Sequence, residues 1–331
     1  MSDEGMRVAL VGFGAVGQGF VDVLLSGTPI EVEVVLVADS TTIAVDDDGL
    51  DLESLNDRKR EEGVVGDEKR DERSLEESLR NAEYDALVEA SPTTLGDAEP
   101  AFSHMVAAME TGAHVVTSNK GPVAMRYGEV MEKARENGVE VRVEGAVGGA
   151  MPVVNTVRES LAGNRVTEAR GILNGTCNFI LTRMLKEGLT YEHVLGEAQD
   201  MGIAESDPTF DVEGIDAALK CVILSNILFE EERTLDDVDV TGITEVTPDS
   251  LRLARDSGHV VKLVGEVTRD DLSVAPRLVP EGHALDVSGT LNVVSFDTEL
   301  AGEVTVTGRG AGRSETASAL LSDLIAVARQ E

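Results

Sequence analysis

The sequence predicts an α/β fold, with a doubly wound, Rossmann-type parallel sheet followed by a second α+β domain. The first observation is that an apolar run, Arg7 to Val11, leads into the turn GFGAVG and then into an amphipathic stretch. The second is that strand-like and helix-like patterns alternate up to about residue 145, as parallel sheets with crossover helices require. The third is length, because 331 residues exceed what one hydrophobic core usually accommodates.

The first domain is predicted from apolar strand patterns and from helices that end at glycines. Residues Asp46 to Glu77 are rich in charge and predict a surface excursion with one or two short helices. The predicted strands are Arg7–Val11, Glu31–Ala38, Asp85–Glu89, His114–Thr117 and Val139–Val143, and the predicted helices are Gln18–Leu25, Phe102–Thr111 and Met125–Asn137.

A different pattern after about residue 145 predicts the second domain. Helices are predicted over Met151–Leu161, Phe179–Glu187, Tyr191–Met201, Gly214–Phe229 and Ser314–Arg329, and strands over Val166–Ile172, Val261–Val267, Leu291–Asp297 and Glu303–Gly308. We expect a dinucleotide-binding domain over residues 1–142, a substrate-binding and dimerisation domain over 143–305, and a segment, 306–331, that returns to the first domain.

The charge balance indicates an acidic surface adapted to salt. Asp and Glu number 62 against 28 Lys and Arg, which gives a net charge of −34, and only seven of the basic residues are Lys. Such a surface repels nucleic acid and anionic membranes, and it favours a halophilic source over an ordinary acidic enzyme. No apolar run is long enough to span a bilayer, and the start of the chain is unlike a secretory signal. We therefore expect a cytoplasmic protein.

Cysteine and histidine usage excludes two further classes of protein. Cys177 and Cys221 are the only cysteines and form no CxxC pair, so no disulfide framework is expected. The five histidines are scattered without HxH or HxxxH spacing, which argues against a transition-metal site.

The glycine turn predicts a dinucleotide site. Gly12, Gly14 and Gly17 give GxGxxG, with Ala15 and Val16 between the last two, where a strand ends and a helix begins. Such a turn lets backbone N–H groups approach a pyrophosphate at the helix N-terminus, although a turn without ligand is the alternative.

An acidic residue after the second strand bears on the choice of cofactor. Asp39 follows that strand, where a carboxylate would bind the adenosine ribose hydroxyls. It would repel a 2′-phosphate, and no Arg or Lys follows closely, so NAD is favoured. Ser40, Thr41 and Thr42 leave NADP open.

The segment GIAESDPTFDVEGIDAALK contains the catalytic candidates. Asp216 and Lys220 are spaced i,i+4 and share one helix face, so the lysine is held as a proton donor to a developing alkoxide. Glu205 and Asp211 precede this helix and suit an ammonium group. A solvated acidic loop with a surface ion pair is the alternative interpretation.

Two polar turns add further candidates. Lys120, in TSNK, follows a strand at the carboxyl edge of the sheet, where ligands bind, although a solvated lysine is equally compatible. The turn at Gly175 and Thr176 offers donors to a carboxylate substrate. Cys177 raises a rival, a thiol nucleophile of a phosphorylating semialdehyde dehydrogenase, but no histidine lies nearby in the sequence to activate it.

Several motifs, taken together in order and spacing, resemble the homoserine dehydrogenases. The resemblance runs from about residue 7 to the C-terminus, and its middle segments are far more specific than GxGxxG. The motifs are GFGAVG, VEASPT (Val88 to Thr93), TSNKGP, EGAVGGAMP (Glu144 to Pro152), GILNGTCNFIL and GIAESDPTFDVEGIDAALK.

The resemblance implies a role for each matching residue. Lys220 takes the place of the acid/base lysine, with Asp216 one turn before it, and Lys120 that of a second active-site lysine. Further positions fall into three groups. Substrate binding is implied for Glu205, Asp211, Gly175 and Thr176, cofactor binding for Ser91, Pro92, Thr93 and Gly310, and a sodium ion, held largely by backbone carbonyls, for Glu144, Val147, Gly149 and Met151.

The expected activity is the reversible NAD(P)H-dependent reduction of L-aspartate 4-semialdehyde to L-homoserine, in threonine, methionine and isoleucine biosynthesis. A homodimer is expected from the resemblance. Cys177 stands where a threonine or serine is expected, and no C-terminal ligand-sensing domain is expected after the catalytic region. The rivals are another dehydrogenase of this fold, a non-catalytic dinucleotide sensor and a structural subunit.

Overall fold

The computed structural model describes residues 5–70 and 72–329. The chain divides into two compact units, and the second unit is Met151–Ala311. The first unit extends to Ala150 and resumes at Gly312. The expected boundaries after residues 142 and 305 thus lie several residues before the observed ones. Helix Glu144–Val147 stays with the first unit, because the backbone N–H of Glu144 donates to the carboxylate of Asp323 in the returning segment.

The first unit is built on a seven-stranded sheet. Its strands are β1 Met6–Val11, β2 Val32–Ala38, β3 Thr42–Val45, β4 Glu68–Lys69, β5 Ala86–Glu89, β6 His114–Thr117 and β7 Val141–Arg142. Their order in the sheet is β4-β3-β2-β1-β5-β6-β7. Five neighbouring strands run parallel, namely β2, β1, β5, β6 and β7. This arrangement confirms the predicted Rossmann-type sheet.

Two short strands at the edge of this sheet were not predicted, one just before the charged excursion and one within it. β3 and β4 pair antiparallel at the sheet edge and extend it beyond β2. β3 has only four residues and β4 only two, both charged, so neither is long enough to show the strand pattern that revealed β1 and β2. The helices of this part of the chain are α1 Ala15–Leu25, α2 Leu52–Glu62, α3 Glu72–Asn81, α4 Ala101–Glu110, α5 Lys120–Met125, α6 Tyr127–Asn137 and α7 Glu144–Val147.

The second unit contains a six-stranded sheet with helices packed against it. Its helices are α8 Val153–Asn155, α9 Gly175–Glu187, α10 Tyr191–Asp200, α11 Thr209–Val212, α12 Ile215–Phe229 and α13 Pro248–Asp256. Its strands are β8 Val166–Ile172, β9 Val238–Val240, β10 His259–Thr268, β11 Leu272–Pro280, β12 Leu291–Thr298 and β13 Gly302–Arg309. The sheet order is β13-β12-β8-β10-β11-β9, and every pair is antiparallel except β11 with β9.

The helix predicted over Met151–Leu161 is wrong in extent. Only Val153–Asn155 is α-helical, and a π-helical turn follows over Thr156–Ser160. The apolar spacing predicts a longer α-helix, but the β-branched Thr156 and Val157 have low helix propensity.

The chain returns to the first unit through α14 Arg313–Ala328. Its apolar face joins the core beneath β1 and α1, which explains why the last segment belongs with the first sheet. The buried residues that α14 contributes are Ala317, Leu320, Leu324 and Val327. No helix in residues 5–70 or 72–329 is long and apolar enough to cross a membrane.

Candidate active site

The glycine turn in the first unit is tightly packed at Gly12 and Gly17 and open at Gly14. Gly12 has φ +99°, and a Cβ on it would lie 2.3 Å from the carbonyl carbon of Ala90. A Cβ on Gly17 would lie 2.0 Å from the oxygen of Gly12, so the helix packs directly on the turn. By contrast, the exposed Gly14 faces open space. Only glycine permits the first two approaches, and the open face leaves room for a ligand.

The first turn of α1 provides the donors for such a ligand. Gly14 is the N-cap residue and has no side chain to occupy the first N–H groups of the helix. Those N–H groups belong to Ala15 and Val16, at the positive end of an 11-residue helix. The residues present therefore fit the pyrophosphate of a dinucleotide.

Asp39 lies at the carboxyl end of β2, as predicted, but protein groups surround its carboxylate. Oδ1 accepts from the backbone N–H of Thr41 and of Thr42, both at 2.7 Å, and Oδ2 accepts from Lys59 Nζ at 2.6 Å. Burial opposes ionisation of this carboxyl, but the hydrogen bonds from Lys59, Thr41 and Thr42 outweigh burial and lower its pKa.

No Arg or Lys follows Asp39 closely in the sequence, but two basic residues lie next to it in the folded protein. Lys59 on α2 pairs with it, and the guanidinium of Arg70 donates to its backbone carbonyl. Neither residue is close to Asp39 in the sequence, so the residues that directly follow Asp39 could not reveal them. The lysine offsets the charge that was expected to repel a 2′-phosphate.

Hydrogen bonds connect the turn after β5 with the turn after β6. Asn119 caps α5 by accepting from Gly121, and its Nδ2 donates to the carbonyls of Ser91 at 3.1 Å and Pro92 at 3.2 Å. The hydroxyl of Thr93 accepts from the backbone N–H of Lys120 at 3.2 Å. Asn119 was not among the predicted site residues, although it lies in the TSNKGP motif.

The catalytic candidates of the second unit form a buried network. Lys220 Nζ donates to Asp216 Oδ2 at 2.8 Å and to the carbonyl oxygen of Leu173 at 2.7 Å. Both charged side chains are buried, so this pair is not the solvated surface ion pair that spacing alone allowed. The fixed ammonium has a third N–H with which it can donate to a reacting oxygen.

Asn174 joins the two predicted carboxylates to the start of α9. Its Oδ1 accepts from the backbone N–H of Cys177 at 2.8 Å, and its Nδ2 donates to Asp211 Oδ1 at 2.7 Å and Asp216 Oδ2 at 3.0 Å. Asn174 lies in the GILNGTCNFIL motif but was not among the predicted site residues. Its N-cap position before a helix was the signal that could have identified it.

Asp211 is held close to this network. Burial and the nearby charge of Asp216 raise its pKa, against hydrogen bonds from Asn174 and Thr176. Thr176 also donates to the carbonyl of Ile203 at 3.1 Å. Glu205 is different. It lies exposed on the loop before α11, and within the described residues no hydrogen bond or ion pair links its carboxylate to Lys220.

Two glycines predicted to bind ligands are packed closely. A Cβ on Gly175 would lie 2.8 Å from the carbonyl oxygen of Thr290, so the start of α9 rests on the segment before β12. A Cβ on Gly310 would lie 2.0 Å from Nδ2 of Asn292 on the same strand. Gly175 therefore permits a close approach to a backbone carbonyl, whereas Gly310 makes room for the buried side chain of Asn292.

Cys177 is buried at the same helix start, and its thiol donates to the carbonyl of Asp211 at 3.1 Å. Burial, followed by the negative charges of Asp211 and Asp216, raises its pKa well above the usual range for a thiol. This environment opposes a thiolate nucleophile.

The residues predicted to hold a sodium ion lie on both sides of the division between the units. Glu144, Val147 and Gly149 belong to the first unit, and Met151 begins the second. The carbonyls of Glu144 and Met151 accept from Gly148 and Val153 respectively, at 3.0 and 2.9 Å. No group of three or more acidic, His or Cys side chains is placed for metal binding in the described part of the chain.

Comparison with protein-family models assigns almost the whole chain. A model described as homoserine dehydrogenase matches residues 152–325, and one described as the NAD-binding domain of homoserine dehydrogenase matches residues 12–144. The chain belongs to the homoserine dehydrogenase family. Members of this family are NAD(P)-dependent oxidoreductases, so the glycine turn lies in a domain of known ligand class.

Individual relatives agree with this assignment. The homoserine dehydrogenase of Methanocaldococcus jannaschii is 47% identical over 328 residues, which cover 97% of this chain and 98% of that protein. A solved structure from Archaeoglobus fulgidus, provisionally named a homoserine dehydrogenase, has a TM-score of 0.91 and 44% identity, covering 97% of this chain and 99% of that one. A hyperthermophilic archaeal homoserine dehydrogenase in complex with NADPH has a TM-score of 0.85 and 30% identity, covering 98% of each chain.

Proposed function

We propose that this family member catalyses the reversible reduction of L-aspartate 4-semialdehyde to L-homoserine, using NADH or NADPH. The observation that carries the proposal is the buried ammonium of Lys220, held by Asp216 Oδ2 at 2.8 Å and by the Leu173 carbonyl at 2.7 Å. A proton donor fixed in this way suits an oxygen that gains negative charge during hydride transfer.

The cofactor supplies a hydride to the aldehyde carbon. Lys220 directs its third N–H to the aldehyde oxygen and transfers that proton as the C–O π bond breaks, which leaves a hydroxyl group. Asp216 keeps the lysine in place and balances its charge. Oxidation of homoserine uses the same groups in reverse, with neutral Lys220 accepting the hydroxyl proton.

The amino-acid end of the substrate is assigned to the segments around Lys220. The backbone N–H groups at Gly175 and Thr176 begin a 13-residue helix and suit the α-carboxylate. Asp211 and Glu205 are assigned to the α-ammonium. Support for Asp211 is stronger, because Asn174 ties it to Asp216. Lys120 is proposed as a second active-site lysine on the first unit.

The cofactor is assigned to the carboxyl edge of the first sheet. The proposed contacts are the glycine turn (Gly12, Gly14, Ala15, Val16 and Gly17), Asp39, the turn at Ser91, Pro92 and Thr93, and Gly310. From the sequence, the carboxylate of Asp39 predicts a preference for NAD. Its pairing with Lys59 supports binding of NADP as well, because the lysine offsets the negative charge that a 2′-phosphate would meet. A sodium ion at Glu144, Val147, Gly149 and Met151 is kept as a structural proposal, and no reaction step depends on it.

The rival with a thiol nucleophile has weak support. The Cys177 thiol is buried and directed at a backbone carbonyl, in an environment that keeps it protonated. Replacement by serine or threonine should therefore leave homoserine oxidation largely intact. Complete inactivation by Cys177→Thr, in a folded sample, would favour the phosphorylating enzyme instead.

The cellular setting is proposed from charge and family. A net charge of −34 supports a halophilic cytoplasm, where salt screens self-repulsion. Membership of the family supports a place in threonine, methionine and isoleucine biosynthesis. A homodimeric assembly is proposed from the resemblance of the sequence motifs alone. We propose no nucleic-acid or membrane partner, since both surfaces are anionic like this protein.

The function is tested by measuring NAD+ and NADP+ reduction with L-homoserine at alkaline pH, in about 2–3 M salt to screen the acidic surface. Activity with homoserine and not with serine, threonine or aspartate supports the proposal. A folded protein that binds NADH but oxidises no homoserine would overturn it and favour the dinucleotide sensor.

A further inference from the structure

Glu89 fixes the backbone on which the glycine turn rests. It ends β5 and is fully buried, and its Oε1 accepts from the backbone N–H of Ser91 at 2.8 Å. Gly12 approaches this same backbone so closely that a Cβ on it would lie 2.4 Å from the nitrogen of Ser91. A change in the position of Ser91 would therefore displace the glycine turn.

His104 holds the other oxygen of Glu89. The imidazole, on α4, is fully buried, with Nδ1 3.0 Å from Glu89 Oε2 and Nε2 3.2 Å from Nη2 of Arg70. A guanidinium only donates, so Nε2 must accept and the ring proton lies on Nδ1. His104 is then a neutral ring that donates to a carboxylate and accepts from an arginine.

Arg70 extends the chain of contacts to the other side of the glycine turn. It follows β4, and its Nη1 donates to the backbone carbonyl of Asp39, at the end of β2. In the sheet, β2 and β5 flank β1, from which the glycine turn leaves. Arg70, His104 and Glu89 thus connect the two turns that border the glycine turn.

We propose that His104 is a positioning residue for the dinucleotide, which sets the turn at Asp39 and the turn at Ser91 relative to Gly12. This inference rests on the proposed cofactor site. None of the three linked side chains needs to touch the cofactor, because each acts on a backbone segment that does. Cofactor affinity then depends on both hydrogen bonds of one buried ring.

The amide side chains allow the two hydrogen bonds to be tested separately. His104→Asn can retain a donor toward Glu89 and loses the acceptor toward Arg70. His104→Gln reaches far enough to retain an acceptor toward Arg70 and loses the donor to Glu89. His104→Leu removes both. His114 is the matched control, because it accepts from the N–H of Glu140 at the amino end of β6, away from the carboxyl edge.

The experiment measures the dissociation constants of NADH and ADP-ribose, together with kcat and KM for homoserine oxidation, in the intact chain. His104→Leu should raise both dissociation constants and the cofactor KM on the order of tenfold, with a much smaller change in kcat at saturating cofactor. The two amide variants should fall between His104→Leu and the wild type, and His114→Asn should match the wild type.

Unchanged dissociation constants in a folded His104→Leu protein would overturn the proposal. So would a loss of kcat at unchanged cofactor KM. If His104→Leu fails to fold, Arg70→Met removes the outer link from a partly exposed side chain and should raise the same dissociation constants. Binding of NADH is measured without homoserine, so the result stands even if the wild type does not oxidise homoserine.

Discussion

Lys59 Nζ lies 2.6 Å from Asp39 Oδ2, although twenty positions separate the two residues in the chain. This pair places a cation where the adenosine ribose of a dinucleotide is expected. The acidic residue at the end of β2 is therefore not an isolated negative charge, and the repulsion it would exert on the 2′-phosphate of NADP is reduced.

Lys59→Ala should shift cofactor preference toward NAD+. Without the lysine, the carboxylate of Asp39 faces a 2′-phosphate unneutralised, so the ratio of kcat/KM for NADP+ to that for NAD+ should fall about tenfold. Steady-state kinetics with both cofactors measure this ratio. Arg60→Ala, which removes an exposed cation from the same helix, is the control. An equal loss with both cofactors would show that Lys59 only stabilises the turn.

Lys220→Met should reduce kcat by about a thousandfold, because a positioned general acid typically contributes 10²–10⁴-fold. The dissociation constant of NADH should change little, since the hydrogen bonds of Lys220 Nζ go to Asp216 and Leu173, both in the second unit. Stopped-flow or steady-state oxidation of homoserine gives kcat. Lys133→Ala, which removes an exposed lysine, should keep wild-type kcat. Substantial activity in Lys220→Met would assign the proton transfer to another group.

Asp211→Asn should stabilise the protein at neutral pH while weakening substrate binding. The pKa of Asp211 is raised by burial and by Asp216, so the folded state binds its proton more tightly than the unfolded state does. Stability from this group is therefore present at low pH and lost as pH rises through the raised pKa. The variant should therefore have a larger free energy of unfolding than the wild type at pH 7.

Urea unfolding of the wild type and of Asp211→Asn, in salt and at several pH values, measures the difference in their free energies of unfolding. The gain should shrink as the pH falls toward 3.8, where the carboxyl becomes protonated in both states. Loss of stability at pH 7 would show that the contacts of Asp211 with Asn174 outweigh its burial. An unchanged KM for homoserine would remove Asp211 from the substrate site.

Gly175→Ala should raise the KM for homoserine and lower stability, because its Cβ would meet the carbonyl oxygen of Thr290 at 2.8 Å. The first turn of α9 must then shift, and the proposed carboxylate donors shift with it. Gly196→Ala is a matched control on α10, where a Cβ meets nothing within 4 Å. If both variants retain the wild-type KM, the turn at Gly175 is not part of the substrate site.

Salt should raise the thermal midpoint of this protein more than that of an ordinary acidic enzyme. With a net charge of −34, the carboxylates of the surface repel one another at low ionic strength. Salt screens this repulsion beyond the Debye length, which is about 10 Å at 0.1 M and shorter at higher salt. Thermal melts between about 0.1 and 3 M KCl test the expectation. A midpoint that is flat or falls with salt would remove the support for a halophilic setting.

Much of the fold could be predicted because local chemistry and tertiary structure agree. β1, β2 and α1 follow from buried apolar runs and a glycine turn, and the contact of Lys220 with Asp216 follows from helical spacing. β3 and β4 could not be predicted, because strands of four and two residues are too short to show an alternating pattern. The contacts of Asp39 with Lys59 and of Asp216 with Asn174 could be found only in the tertiary fold, since hydrogen bonds between distant segments leave no periodic signal.

The return of α14 to the first unit has a consequence for biosynthesis. Four of its apolar residues complete the core beneath β1, but residues 151–311 are translated before it. At typical synthesis rates of about 5–20 residues per second, the nascent first unit exposes that unfinished face for roughly 10–40 seconds. Chaperones have this interval in which to bind it, and the unit cannot mature before the second one has left the ribosome.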